Sequence, residues 1–382
     1  MNTILEEDVV RLDNFDDLRN DLRNFFKQQL DGTGRPAWIG SWDGFDRDFS
    51  RALGERGWLG MAMPKQYGGQ ERSVLERYVV MEELLAAGAP VACHWVADRQ
   101  AAPNILRFGT ETQRNEYIPR ISRGELCFAI GMSEPDSGSD LASVKTRATP
   151  ADGGWVVNGR KIWSSNAHQA DYMIAIVRTE EQNENRHAGL SQFLLDLKQP
   201  GISVAPIENL AGDRHFNEVV FDDVFVPHEN VLGEPGNGWD QVVSELAFER
   251  SGPDRFLSTF RLLVELVRIA GNDPSDHIAS AIGSMVARIW ATRRTSIQVA
   301  AVLERGDMPN TEAALVKDLG TAIEQETPEL ARLIGSIAPN RLGNDFFEAL
   351  LEYDTLHTPS FSIRGGTREV MRGIIARGIG LR

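Results

Sequence analysis

The hydrophobic period of this chain changes twice, and that change limits the folds open to it. Between residue 126 and about 232 the apolar residues fall in short runs: "GGWVVNGRKIW", "DYMIAIVRT", "SQFLLDL", "GISVAPI" and "NEVVFDDVFVP". Each run is rich in β-branched and aromatic residues and is bounded by Gly, Pro, Asn or Asp. Short strands at regular spacing predict an all-β sandwich or barrel. On both sides the period is helical. "FDDLRNDLRNFFKQQL" places Phe15, Leu18, Leu22, Phe25 and Phe26 on one face, and "VLERYVVMEELLAAGAP" repeats the pattern until Pro90. "MPKQYGGQ" reads as a loop. Beyond residue 235 come "DQVVSELAFERSGPDRFLSTFRLLVELVRIA", with a break at Gly252-Pro253, then "ASAIGSMVARIWATRRTSIQVAAVLERG" and "TEAALVKDLGTAIEQETPELARLIG".

Helices, then strands, then helices is a segregated order, so the class is α+β rather than a βαβ repeat. At 382 residues the chain exceeds one simple core. Three domains are expected: 1–125 helical, 126–234 β, and 235–382 a helical bundle. The net charge of −15 argues against nucleic acid or an anionic membrane surface as partner. The N-terminal "MNTILEEDVVRLDNF" carries no long apolar run, which predicts a cytoplasmic protein without a membrane span. Cys93 and Cys127 have no zinc-type or redox-motif neighbours and are expected to be buried reduced thiols. No metal site is expected.

Three stretches invite a chemical reading. "AIGMSEPDSGSDLASV" (129–144) reads as a surface turn, or as a loop whose small residues let backbone approach a flat ligand. In "NGRKIWSSNAHQADYMIAIVRT" (158–179), Asn158-Gly159 signals a tight turn, and Trp163 is flanked by Ser164 and Ser165. At the C-terminus, "FSIRGGTREVMRGIIARGIGLR" sets two glycines and a threonine before a short helix. Val370, Met371, Ile374 and Ile375 lie on one face of that helix, and Gly378 stops it. A glycine pair at a helix start frees backbone N–H groups for an anion.

Together these stretches resemble the acyl-CoA dehydrogenase family. "MSEPDSGSD" is similar to its flavin loop and "KIWSSNA" to its second flavin strand. "FNEVVFDDVFVPHENVLGEPGNGW" is similar to its exit into the third domain, and "GGTREVMRGIIAR" to its C-terminal signature. The resemblance runs from about residue 10 to the end, in the family's order. It implies an N-terminal helical domain, a middle β domain and a C-terminal four-helix bundle, with FAD between the last two. It also implies that the backbone around Ile130 and Met132 and the Ser133 hydroxyl meet the flavin's pyrimidine side. Trp163 would cover a flavin face and Ser165 would sit near N5. Ser139 would contact both FAD and the CoA part of the substrate. Gly366, Thr367 and Glu369 would touch the diphosphate and ribose.

The reaction implied is loss of two hydrogens from a saturated acyl-CoA thioester. A carboxylate takes the α-proton, the β-hydrogen leaves as hydride to flavin N5, and an electron-transfer flavoprotein is the implied acceptor. Many members place the base directly before the Gly-Thr of the signature, where this chain has Gly365. One branch, including isovaleryl- and long-chain-type enzymes, carries it in a Glu-Arg pair on an earlier helix. "SELAFERSGPDRF" matches with Glu249-Arg250. Glu249 is then the expected base, Arg250 the residue orienting Glu249 or the substrate, and Asp254 the reserve. If the helix continued through Pro253, the missing N–H would kink it beside Glu249.

Two family features are absent from the expected places. The arginine, Phe-Gly and glutamine that grip a neighbour's FAD are replaced by "VRIAGNDPSDHIASAIGSM". The Gln…Gly-Gly segment is replaced by "PNRLGNDFFEALLEYD". Similar losses occur in members that form α2β2 tetramers with a related chain, notably those acting on steroid side-chain thioesters. The expectation is a catalytic subunit in a dimer or tetramer of that kind, acting on a bulky or branched acyl group. The competing readings are a non-catalytic partner subunit and a flavin oxidase or monooxygenase on the same scaffold.

Overall fold

The computed structural model describes residues 12–30, 40–42, 44–181, 184–338, 340 and 344–381, with side chains at all of these but 13 and 246–249. The chain divides into two compact units, each discontinuous in sequence. One comprises Met1–Gly44, Ser73–Pro90 and Ala247–Arg382; the other comprises Phe45–Arg72 and Val91–Leu246.

The second unit is built on an eight-stranded sheet. Its strands are β1 (Phe128–Gly131), β2 (Arg147–Ala151), β3 (Gly154–Lys161), β4 (Tyr172–Arg178), β5 (Leu190–Asp196), β6 (Ile202–Ile207), β7 (Phe216–Pro227) and β8 (Val231–Leu232). They run in the order β6-β7-β3-β2-β4-β5-β8, with β1 parallel to β4. The five apolar runs of the sequence are β3 to β7. The central strand β4 is buried on both faces. Met173, Ala175 and Val177 join one apolar cluster, Ile174 a second and Ile176 a third. That is the two-residue alternation of a strand whose sides are both covered. The second cover comes from helices α4 (Ala102–Phe108) and α5 (Glu111–Ser122) and the loop around Tyr67. Helix α2 (Arg47–Glu55) is fastened to the sheet by Arg47, which donates to Asp171 at 2.9 Å.

Asn158-Gly159 is not a turn. It lies inside β3, where the register to β7 shifts between Val157 and Gly159. The Asn158 amide accepts from Asp223 N–H and donates to its carboxylate, both at 2.9 Å, which holds the bulge. Gly159, at φ +142°, is required because a Cβ there would lie 2.7 Å from the Thr146 Cα. Cys93 and Cys127 also depart from expectation. Their Cα atoms are 5.2 Å apart, within disulfide reach, and the sulfurs are bonded rather than free. The bond ties the segment before a π turn at Ala97–Ala101 to the residue preceding β1.

In the first unit, α1 (Asp16–Gln29) and α3 (Val74–Ala87) pack with α7 (Phe260–Ala270), α8 (Asp276–Glu304), α9 (Asn310–Gly335), α10 (Asp345–Phe361) and α11 (Arg368–Gly378). Helices α7 to α10 form the four-helix bundle. The apolar face of α1 is Leu22, Phe25 and Phe26. Helix α3 begins with a Ser73/Glu76 capping box and ends at Gly88, in the left-handed conformation, two residues before Pro90. Arg19 bridges Glu82 and Glu83 of α3, and Arg23 joins Glu83. Helix α6 (Gly238–Arg250) runs from one unit's sequence into the other's. It stops at Arg250 instead of kinking. Gly252 and Pro253 open a separate 3-10 turn, so the proline meets no helical carbonyl. No helix among the described residues is long and apolar enough to cross a membrane.

Candidate active site

In the sheet unit, two adjoining segments carry most of the candidate residues. The first leaves β1 through half-buried Ile130, Met132 and Ser133, and continues to exposed Ser139. Beneath it lies a buried ion pair. Glu134 is 7% and Lys161 0% exposed, and Lys161 Nζ is 2.8 Å from Glu134 Oε1. The carboxylate also accepts the backbone N–H groups of Lys145 at 2.6 Å and Thr146 at 2.9 Å. Lys161 donates a further bond to the Met132 carbonyl at 3.2 Å. Burial pushes the Lys161 ammonium down to about 8, opposed by the Glu134 charge. Burial also raises Glu134, but Lys161 and the N–H donors outweigh it and hold the carboxyl below its ordinary value.

The second segment leaves β3 through Ile162, whose N–H donates to the Ser133 carbonyl at 2.9 Å. Trp163 follows with φ +62° and is 54% exposed. A left-handed tryptophan costs about 1–3 kcal/mol, and such strain gathers at ligand sites. Its ring meets Phe216 in a T-shaped contact with centroids 5.8 Å apart, and more than half of the residue stays open to solvent. Ser164 is pinned by its N–H to the Asn217 carbonyl at 3.1 Å, while its buried hydroxyl has no partner among the described residues. Ser165 is half-buried. An exposed aromatic face beside a loop fixed from below suits a flat, polar-edged ring such as a flavin.

In the bundle unit, Gly365 and Gly366 take φ +70° and +104°. The Thr367 hydroxyl then caps α11 by accepting from Val370 N–H at 3.3 Å. Such a turn before an eleven-residue helix presents backbone N–H groups to an anion, as a dinucleotide diphosphate requires. Glu369 is exposed on the first turn. Its own backbone N–H and Thr367 hold its carboxyl below the ordinary value. The turn is fastened from behind. Arg250 Nε donates to the Gly365 carbonyl at 3.1 Å, and Arg364 donates to the Asp254 carbonyl at 2.9 Å and to Glu324 at 3.3 Å. Arg368 anchors α11 to Asp318 of α9 at 2.8 Å.

Glu249 is the penultimate residue of α6, and its side chain lies outside the described residues. Asp254, the reserve base, is 1% exposed and paired with Arg255 at 3.0 Å, so it is held as a buried ion pair. Glu134, Lys161 and Arg364 lie within the motif stretches, yet the sequence alone does not single them out as site residues. The one signal it offers is a charged residue at an inward position near the end of β3.

Three sequence profiles match the chain: acyl-CoA dehydrogenase N-terminal domain over residues 13–125, middle domain over 129–224, and C-terminal domain over 236–380. It is 33% identical over 341 residues to the acyl-CoA dehydrogenase IpdE1 of Mycobacterium tuberculosis, covering 86% of each chain. It is 32% identical over 330 residues to the acyl-CoA dehydrogenase FadE34 of the same organism, covering 85% of this chain and 45% of that longer one. Among solved structures it is similar to the Tcur3481-Tcur3483 steroid ACAD, with a TM-score of 0.86 and 28% identity over 98% of this chain and 100% of that one. It is also similar to the ChsE4-ChsE5 complex of Mycobacterium tuberculosis, with a TM-score of 0.85 and 28% identity over 98% and 99%. The chain belongs to the acyl-CoA dehydrogenase family of flavin-dependent oxidoreductases.

Proposed function

We propose that this chain catalyses FAD-dependent α,β-dehydrogenation of an acyl-CoA thioester with a bulky, steroid-type acyl group, within domains 1–125, 126–234 and 235–382. The observation that carries the flavin reading is Trp163: an exposed indole held at positive φ beside the Met132–Ser133 loop. The bulky acyl group is supported by the steroid ACAD to which the chain is similar.

Ile130, Met132 and Ser133 would hold the polar edge of a flavin and Trp163 and Ser165 would line its face; in the other unit, Gly366, Thr367 and Glu369 would hold a diphosphate and ribose. Bound FAD supplies the acceptor for the β-hydrogen. Glu249 removes the α-proton of the thioester. A carboxylate does this at neutral pH only when it is shielded from water, which raises its pKa toward the working range. Arg250, bonded to the Gly365 carbonyl, orients the end of α6 that bears Glu249. Gly365 carries no side chain to compete for the same reacting carbon. Ser139 is exposed on the flavin loop and meets the CoA portion. Electrons leave to an electron-transfer flavoprotein.

The test is anaerobic. Protein copurified with FAD is mixed with butyryl-CoA, isovaleryl-CoA and a steroid side-chain CoA thioester. Flavin absorbance is expected to bleach, fastest with the bulkiest thioester. Glu249→Gln is expected to slow bleaching by about 10²–10⁴-fold with FAD content unchanged. Undiminished bleaching in that variant would remove Glu249 from the mechanism. No bleaching by any thioester would leave a non-catalytic subunit or an oxidase.

A further inference from the structure

Lys161 has a part to play that its burial alone does not explain. It is a lysine with 0% exposure at the end of β3. A lone ammonium there is costly, and Glu134 offsets its charge. Yet the ammonium also reaches past the carboxylate to the Met132 carbonyl at 3.2 Å. That carbonyl belongs to the peptide joining Met132 to Ser133.

The planarity of that peptide links the lysine to the loop's outer face. In a trans peptide the C=O and N–H point in opposite directions. The chain has no cis peptide among its described residues. Once the Met132 oxygen turns down onto Lys161, the Ser133 N–H must turn the other way, out of the protein floor. The next carbonyl, that of Ser133, is taken by Ile162 N–H at 2.9 Å, so the adjacent peptide is fixed too. Ile162 is the neighbour of Lys161 and precedes Trp163, so one short segment sets both the donor and the indole face. Glu134 closes the arrangement by tying the far arm of the loop at Lys145 and Thr146.

We propose that the buried Lys161–Glu134 pair is a positioning device that orients the Met132–Ser133 peptide so that its N–H donates to the flavin's pyrimidine edge, and so sets the flavin's reduction potential. The inference rests on the proposed flavin site. A hydrogen-bond donor at that edge stabilises the electron-rich reduced ring more than the oxidised one. Removing the ammonium frees the peptide to rotate and weakens that preference. Lys161 touches neither substrate nor flavin; it acts through the Met132 carbonyl.

Two variants test this. Lys161→Met keeps the stem volume and removes the donor, but strands the Glu134 carboxylate. Lys161→Met with Glu134→Gln removes both charges and keeps an amide oxygen for the Lys145 and Thr146 N–H groups. Thermal unfolding of the apoproteins, FAD affinity and the midpoint potential of bound flavin are measured for each. The double variant is expected to melt near the parent, to bind FAD about tenfold more weakly, and to hold its flavin at a lower potential. A double variant with the parent's potential and affinity overturns the proposal. A double variant that does not fold also overturns it, because the pair is then a global stability element. If the parent binds no FAD even when coexpressed with a homologous chain, the flavin site fails instead.

Discussion

His94 shows how one side chain's hydrogen-bond arithmetic becomes a pH dependence. It is 3% exposed, and its Nδ1 lies 2.9 Å from the Ser50 hydroxyl. That hydroxyl donates its proton to the Asp46 carbonyl at 2.9 Å, so it must accept from His94. The ring is therefore the Nδ1–H tautomer, with Nε2 buried and without a partner among the described residues. Protonation would place an N–H there with nothing to receive it, and burial pushes the imidazole from 6.5 down to about 3. The unfolded chain then binds one more proton than the folded one between those two values. The stabilisation is complete above pH 6.5 and is lost progressively as pH falls toward about 3. The loss reaches at most about 5 kcal/mol. In His94→Asn, whose amide can still donate to Ser50, this part of the acid slope is expected to vanish. Melting temperature against pH for the two proteins checks it. Parallel curves would mean that His94 titrates normally.

At the scale of elements, the turn before α11 allows a paired comparison. Gly366 sits at φ +104°, where alanine is strained, and a Cβ would press Met371 Cε at 2.8 Å. The methionine end can move aside, so the backbone supplies most of the penalty, about 1–3 kcal/mol. Gly373 lies inside α11, where a Cβ meets only the end of Arg377 at 3.7 Å. Gly366→Ala is expected to weaken FAD binding about tenfold or more, whereas Gly373→Ala should raise the melting temperature and leave FAD binding unchanged. Equal FAD affinity in both variants would show that the turn does not bear on the cofactor. The same elements show what a sequence can carry. Strands β3 to β7 were legible because alternation and Gly/Pro punctuation are local. The α11 turn was legible because glycines before a helix have few other uses. Asn158-Gly159 misled because a turn signal and a bulge need the same residues, and only the register to β7 separates them. The Lys161–Glu134 pair was illegible because it joins residues 27 apart through a fold that the sequence does not print. The Cys93–Cys127 bond was hidden for the same reason, across a separation of 34.

At the scale of the whole molecule, the proposed FAD site meets a deficit of positive charge. Where the resemblance implies a grip on a neighbour's FAD, this chain has the end of α7 and the start of α8. There Arg268 is bonded to Glu265 at 3.1 Å, and the next residues along the chain include Asp273 and Asp276. Carboxylates in that place repel a diphosphate where a guanidinium would attract it, and each missing charge-assisted bond removes roughly 1.5–3 kcal/mol. The second expected gripping segment falls partly on residues 339 and 341–343, outside those described. A self-assembled homotetramer would repeat the deficit at every site. A related chain that retains the arginine would supply the missing attraction. Expressed alone, this chain is expected to purify with well under one FAD per polypeptide and to lose the rest on dilution. Coexpressed with a homologous chain from the same genome, it should copurify in equal amounts with FAD retained. The measurements are flavin absorbance per polypeptide and mass by light scattering. A lone homotetramer with one tightly held FAD per chain would mean that the diphosphate is gripped from within, and the signature turn with its arginine fastenings would be the place to look for the grip.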